Sequence, residues 1–197
     1  MPPEKTHAVT ASETALQQSI SLLEATLEAT AEGLLIVDLA GRIVRFNRRF
    51  AEMWALSAET LAGRDDSAAL REAVSRVADP DGFIERVRYL YDHPSEQSRD
   101  TFELVDGRTF ERFSLPHRLE DGIVGRVWSF RDISDRVRAE RELRESEARY
   151  RRLFEESPHA TYVTSPEGHF VEANPALFRM LGLTVADLPR ANSLTAY

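Results

Sequence analysis

The side chains of this sequence best suited to ligating a metal or moving a proton near neutral pH are its five histidines, His7, His93, His117, His159 and His169, and they stand singly. No two of them have the HxxxH or HExxH spacing that puts a pair of imidazoles on one helix face, and no cluster of carboxylates accompanies them, so no metal site is expected. Cysteine is absent, which excludes a disulfide scaffold, a thiolate metal centre and a cysteine nucleophile. No glycine-rich phosphate loop and no GxSxG elbow is present. His93-Pro94-Ser95-Glu96 does not fit the pattern of a phosphoryl-accepting histidine followed by an acidic residue and a proline. What remains is the chemistry of helix ends. Asn47 and Asn174 each precede a helical pattern, and Asp132 and Ser134 precede another; short polar side chains in such places accept from the free N–H groups of a first turn.

The chain that must position these residues has 197 of them, 42% hydrophobic and 29% charged, which excludes collagen-like, mucin-like and wholly disordered classes. A net charge of −8 argues against a broad nucleic-acid or anionic-lipid surface, and no nucleic-acid partner is expected. No apolar run approaches the roughly 20 residues of a membrane span. No basic segment leads into an apolar one at the start of the chain, so no secretory signal and a cytoplasmic location are expected.

Leu16, Ile20, Leu23 and Leu27 recur at spacings of four, three and four in a stretch free of glycine and proline. That is a helix with a heptad seam, which serves either its own domain or a dimer coiled coil. Residues 33–37 then read as a buried strand, 38–41 as a turn, 42–46 as a second strand and 48–56 as a helix capped by Asn47. Leu70, Val74 and Val77 predict a short helix with Asp65, Asp66 or Ser67 as its cap. Phe83, Val87, Leu90 and Tyr91 predict another, opened by Pro80-Asp81. Beyond Pro94 a hairpin runs through Asp106-Gly107, and a last strand spans residues 124–130. The order defines an α+β domain, residues 32–131, around a five-stranded antiparallel sheet with its helices on one face. Residues 1–31 form a tail and amphipathic helix, and 132–157 a charged connecting helix with a thin seam at Leu143, Tyr150 and Leu153. That connector is either solvated or one strand of a parallel coil. The coil is favoured, because a lone helix this charged has little to bury.

Shifting the chain by 127 residues lays its end over its beginning: Ile36 meets Val163, Gly41 meets Gly168, Asn47 meets Asn174, Met53 meets Met180, Leu56 meets Leu183 and Leu61 meets Leu188. Residues 158–197 therefore read as the N-terminal part of a second, truncated copy, and the chain as a fragment of a longer protein. The glycine turn before a capping asparagine, which is duplicated, and then the Asp106-Gly107-Arg108 hairpin and the Asp132-Ile133-Ser134 exit, in this order, resemble the PAS sensory family. The run from Gly125 to Ser134 is similar to the exit of PAS domains in bacterial multi-sensor kinases and cyclic-dinucleotide enzymes; Ser134 replaces the family's usual threonine and keeps the hydroxyl.

The resemblance implies a pocket between sheet and helices, here at Phe83, Val87, Tyr91, Phe110, Phe113, Trp128 and Phe130, whose bulk favours a packed core over a bound ligand. Tyr91 and Trp128 carry the polar handles of that set, suited to a small aromatic or planar molecule. It also implies a choice of cofactors. Cysteinyl-flavin chemistry lacks its thiol, and the sole candidate axial ligand for haem is His93, a loop histidine before a proline, so no cofactor is identified. The leading reading is a sensory and dimerising module in which Asp132, Ile133 and Ser134 form the signal junction. It would act as a homodimer on a downstream effector domain of the same polypeptide, a histidine kinase. The alternatives are a haem- or flavin-binding redox or gas sensor, and the input region of a diguanylate cyclase. No GGDEF-like or EAL-like string occurs, so any enzyme lies beyond residue 197.

Overall fold

The computed structural model describes residues 4–63, 66–182 and 184, in two units, Met1–Asp135 and Arg136–Tyr197. Asp65, Leu183 and Leu188, singled out above as a cap candidate and as repeat partners, lie outside the described residues.

In the first unit, helix α1 (Glu4–Glu28) leads into β1 (Gly33–Asp38) and β2 (Ile43–Phe46). Gly41 closes the turn between them at φ +74°, a conformation that costs a residue with a Cβ. Three short helices follow, α2 (Arg48–Trp54), α3 (Ala58–Ala62) and α4 (Asp66–Val74), then α5 (Pro80–Asp92). The unit ends in β3 (Ser98–Glu103), β4 (Thr109–Leu119) and β5 (Gly122–Asp132). The sheet order is β2-β1-β5-β4-β3 with every neighbour antiparallel, so the first hairpin and the last three strands meet where β1 pairs β5.

Alternation along the strands sends Leu35, Val37, Phe110, Trp128 and Phe130 to one face. Phe50, Met53 and Trp54 of α2, Ala69 and Ala73 of α4, and Phe83, Val87 and Leu90 of α5 pack onto that face as one core. The expected five-stranded α+β fold is the one observed. The short helices differ from the sequence reading in three details. Helix α3 was not expected; Ser57 caps it by accepting from the N–H of Thr60 at 3.0 Å. Helix α4 stops at Val74, and Val77 is instead buried in a bridge to Leu104, where its neighbours Arg76 and Ala78 pair with Val105 and Glu103 along the edge of β3. Helix α2 stops at Trp54, two residues before the expected end.

In the second unit α6 (Ser134–Glu155, whose first two residues belong to the first unit) precedes β6 (Tyr162–Thr164), β7 (Phe170–Ala173) and α7 (Pro175–Leu181). The last two elements are β2 and α2 displaced by 127 residues. The kink in pairing between Ile36 and Val37 recurs between Val163 and Thr164. The correspondence exposes a backbone demand. Helix α2 ends on Ala55 at φ 47°, left-handed, and helix α7 ends on Gly182 at φ 68°. Glycine suits that position and alanine strains it.

Ala55→Gly is expected to raise stability by about 0.5–1 kcal/mol in urea unfolding, because relief of a left-handed alanine, about 1–2 kcal/mol, exceeds the entropy that glycine returns to the unfolded chain. Ala51→Gly, inside the same helix, should lower stability by about 0.5–1 kcal/mol. A loss at both positions would show that Ala55 carries no strain.

Candidate functional site: helix junctions and core cavity

Asn47 is 1% exposed and joins four parts of the first unit. Its Oδ1 accepts from the N–H groups of Leu34 in β1, at 2.8 Å, and Phe50 in α2, at 2.9 Å. Its Nδ2 donates to the carbonyl oxygen of Leu27 in the last turn of α1, at 3.1 Å, to that of Glu32, at 2.8 Å, and to Thr30 Oγ1, at 3.0 Å. The oxygen faces only donors and the nitrogen only acceptors, which fixes the amide's orientation. Asn174, 0% exposed, repeats the arrangement in the second unit. It accepts from Thr161 and Leu177 at 3.0 Å each and donates to the carbonyls of Phe154, at 3.0 Å, and His159, at 2.8 Å. Each partner stands 127 residues from its counterpart, so the C-terminal end of α6 is hooked as that of α1 is.

Helix α1 has further ties, to the sheet and to the start of α2. Glu24 pairs with Arg45 at 2.8 Å, and Glu28 accepts from the N–H of Arg48 at 3.0 Å. Just after it, Glu32 takes hydrogen bonds from the Ser129 hydroxyl and the Arg131 guanidinium, both on β5. Partial burial pushes the Glu32 carboxyl up, but those two donors and the charge of Arg131 outweigh it and hold the group below its ordinary value.

At the other end of the first unit Asp132 Oδ1 accepts from the N–H of Ser134, the first residue of α6, at 3.0 Å, and from its hydroxyl. Ser134 Oγ in turn accepts from the N–H of Thr109 at 2.9 Å, and the N–H of Ile133 donates to the Thr109 carbonyl at 2.9 Å. The first turn of α6 is thus clamped to the start of β4, and Ile133 is buried beneath it.

Between the inner sheet face and helices α2, α4 and α5 lies a cavity of about 40 Å³. Of the seven residues expected there, Phe83, Val87, Trp128 and Phe130 border it. Phe110 is buried edge-on to Trp54, and Tyr91 packs 6.1 Å from Trp128; neither is in the lining. Phe113 is a correction. It lies three residues from Phe110 on one strand and therefore on the opposite face, under the Arg99 guanidinium at 5.1 Å.

The residue missed is Arg112. It borders the cavity at 3% exposure, paired through Nε and Nη2 with Asp100 at 2.9 and 2.8 Å, and packed over the rings of Phe83, Phe102 and Trp128. The Phe110, Arg112, Ser114 alternation carried the signal. Tyr91 and Trp128 are therefore not the core's sole polar handles. His93 stands at the end of α5, its ring stacked on Tyr89 at 4.2 Å, and neither it nor His117 borders the cavity. A cavity of this size without a histidine in its lining does not fit haem or flavin, whose ring systems are far larger. Among the described residues no group of three histidine, aspartate or glutamate side chains is placed to hold a metal, and no helix is long and apolar enough to cross a membrane.

The seam residues differ in their surroundings. Leu16, Leu23, Leu143 and Leu153 are all at least 60% exposed. Leu27 is half-buried, and Ile20 sits at the margin of exposure. Tyr150 stacks on Phe154 at 5.6 Å and donates to Glu172 at 2.9 Å, so it already has a place inside the second unit.

An antiparallel sheet in this order, helices on one face and a clamped exit helix define a PAS-type domain. A family model described as "PAS fold" matches residues 27–138, more than half of the chain, and one described as "PAS domain" matches residues 148–195. The chain belongs to the PAS family. The PAS domain of an HTR-like protein from Haloarcula marismortui is similar to it at 22% identity and a TM-score of 0.46, over 63% of this chain and 99% of that one. The PAS domain of Bordetella pertussis BvgS is similar at 16% identity and a TM-score of 0.48, over 66% of this chain and 98% of that one. No curated protein matches the chain significantly.

Asn47→Ala removes a cap and leaves buried partners unpaired, and is expected to cost about 2–4 kcal/mol in urea unfolding. A loss under about 1 kcal/mol would mean that water replaces the amide at little cost. Because the Glu32 pKa is depressed in the folded state, its stabilisation is present at neutral pH and is lost as pH falls through the depressed value. Glu32→Gln should therefore lower the unfolding midpoint at pH 7 and flatten its acid dependence between about pH 5 and 2. Parallel pH profiles for the two proteins would exclude this role.

Proposed function

We propose that this chain is a sensory and dimerising PAS module that passes a change in its core through helical linkers to a downstream effector of the same polypeptide, a histidine kinase. The observation that carries the reading is the duplicated asparagine hook together with the Asp132–Ser134 clamp. Helix α6 starts in a clamp fastened to β4 and ends on the carbonyl that Asn174 holds. A shift of strand β4 changes the support of the helix's first turn, and side chains at both ends leave few ways to absorb that change locally. Exposed leucines along α1 and α6 support association of two copies through these helices. An input region of a diguanylate cyclase would use the same linkers, and sequence beyond residue 197 separates the two effectors. A cofactor-based sensor would show itself in the absorption spectrum of the purified chain.

Asp132→Ala with Ser134→Ala should raise hydrogen exchange across residues 132–140 while the core stays folded. In the full-length protein the same pair should leave basal effector activity and remove its regulation. Unchanged protection with unchanged regulation would show that the signal takes another route. Leu23→Glu with Leu143→Glu should halve the mass measured in solution by light scattering; an unchanged mass would exclude these helices as the dimer contact.

A further inference from the structure

Three of the residues that border the core cavity carry buried donors without acceptors. Trp54 Nε1, Trp128 Nε1 and Arg112 Nη1 are buried and meet no acceptor in the protein, and all three residues border the same cavity. Trp54 is 1% exposed, and Trp128 and Arg112 are 3% exposed. Buried polar groups are nearly always hydrogen-bonded, so three orphaned donors on residues bordering one space are a specific observation. The remaining lining is apolar, with Leu35, Phe50, Ala69 and Phe130 among it.

Indole and guanidinium groups donate and never accept. Their complement is a group that accepts and never donates. A trapped water satisfies such a site poorly, because its own hydrogens would face aromatic rings and methyl groups. Charge points the same way. Arg112 is the sole ionisable side chain in the lining, and its partner Asp100 is shared with Arg86, whose Nε lies 3.7 Å from the carboxylate. Along the same inner face Arg126 is buried beside Trp128 and gives its hydrogen bonds to neutral acceptors, the carbonyls of His93 and Glu96 and the hydroxyl of Ser114. Size sets the last limit. At about 10–15 Å³ of such volume per water, 40 Å³ admits about three to four non-hydrogen atoms.

We propose that this cavity binds a small monocarboxylate of acetate size, its oxygens taking the donors of Arg112, Trp54 and Trp128 and its alkyl end lying against the apolar lining. For its meaning as a signal this rests on the sensory role proposed above. Binding itself is read on this chain alone, so a failure of binding leaves the relay tests standing, and a failure of relay leaves binding standing.

Trp54 and Trp128 are the chain's two tryptophans, so intrinsic fluorescence reports on the cavity directly. Acetate, titrated to about 100 mM against sodium chloride at matched ionic strength, should give a saturable emission change and a rise in thermal midpoint, because a ligand this small binds in the millimolar range. Acetamide, of the same shape without the charge, should bind at least tenfold more weakly. Trp54→Phe and Trp128→Phe keep a ring and remove one N–H each; either should weaken acetate at least tenfold while the far-UV circular dichroism is unchanged. Arg112→Met should abolish binding, and the two tryptophan variants keep the test decisive if that protein does not fold. A linear response equal to that of chloride, equal affinity for acetamide, or wild-type affinity in both tryptophan variants would each overturn the proposal.

Discussion

The first unit depends on a single buried amide. Asn47 has five hydrogen-bonding contacts within 3.1 Å, and they reach the last turn of α1, the loop after it, β1 and the start of α2. The N–H groups of Leu34 and Phe50 are the partners that depend on the amide most, since the carbonyls of Leu27 and Glu32 also accept from the Thr30 hydroxyl, and leaving buried donors unpaired is costly against the marginal stability of a domain. Glutamine would reach too far, and aspartate would set a charged acceptor against three acceptors. The hairpin, the first core helix and the incoming helix are therefore placed relative to one another by one side chain before any apolar packing is counted. Asn174 shows that the same solution recurs where the surrounding apolar residues have nearly all changed.

The core beneath that amide combines dense aromatic packing with embedded cations. Trp54, Phe83, Phe102, Phe110 and Phe130 contact one another at centroid separations of 4.9–6.5 Å, edge to face except for Trp54, which stacks on Phe102. Arg112 lies over the rings of Phe83, Phe102 and Trp128, a placement that ring quadrupoles favour and that its ion pair with Asp100 makes tolerable in a desolvated site. Arg126 is held by neutral acceptors alone, and burial lowers its pKa from the usual arginine value. Both buried arginines stand on the strands β4 and β5, the same strands that carry Thr109 and Asp132 at the clamp.

The parts of this architecture that were legible in the sequence are those fixed by local chemistry. A glycine turn, an asparagine before a helix, an Asp-Gly hairpin and a polar exit each impose a backbone geometry within a few residues, and their order, with the recurrence of the first two at one interval, makes them collectively specific. The core was legible only as composition. By composition Phe110 and Phe113 belong to one pocket, although an interval of three in a strand puts them on opposite faces. Arg112, at an interval of two from Phe110, reads as a surface residue because charge normally marks the solvent face. Its placement follows from a tertiary partner, Asp100, on the neighbouring strand, and no local pattern announces such a pair. Helix α3 was invisible because it is too short to show a period, and Val77 left its helix for a bridge whose partner lies far along the chain.

The hook on Phe154 also gives α6 an angular origin. An α-helix advances by about 100° per residue, so the azimuth at which Leu143 and Leu153 project is fixed by how many residues separate them from the carbonyl that Asn174 holds. Losing one residue in that interval would leave the length of the helix almost unchanged and turn the earlier leucine by more than a quarter of a circle, whereas losing seven would nearly restore its bearing. The helix is in this sense a dial whose zero is set by a buried amide, and spacing in the linker is constrained by phase more tightly than by reach.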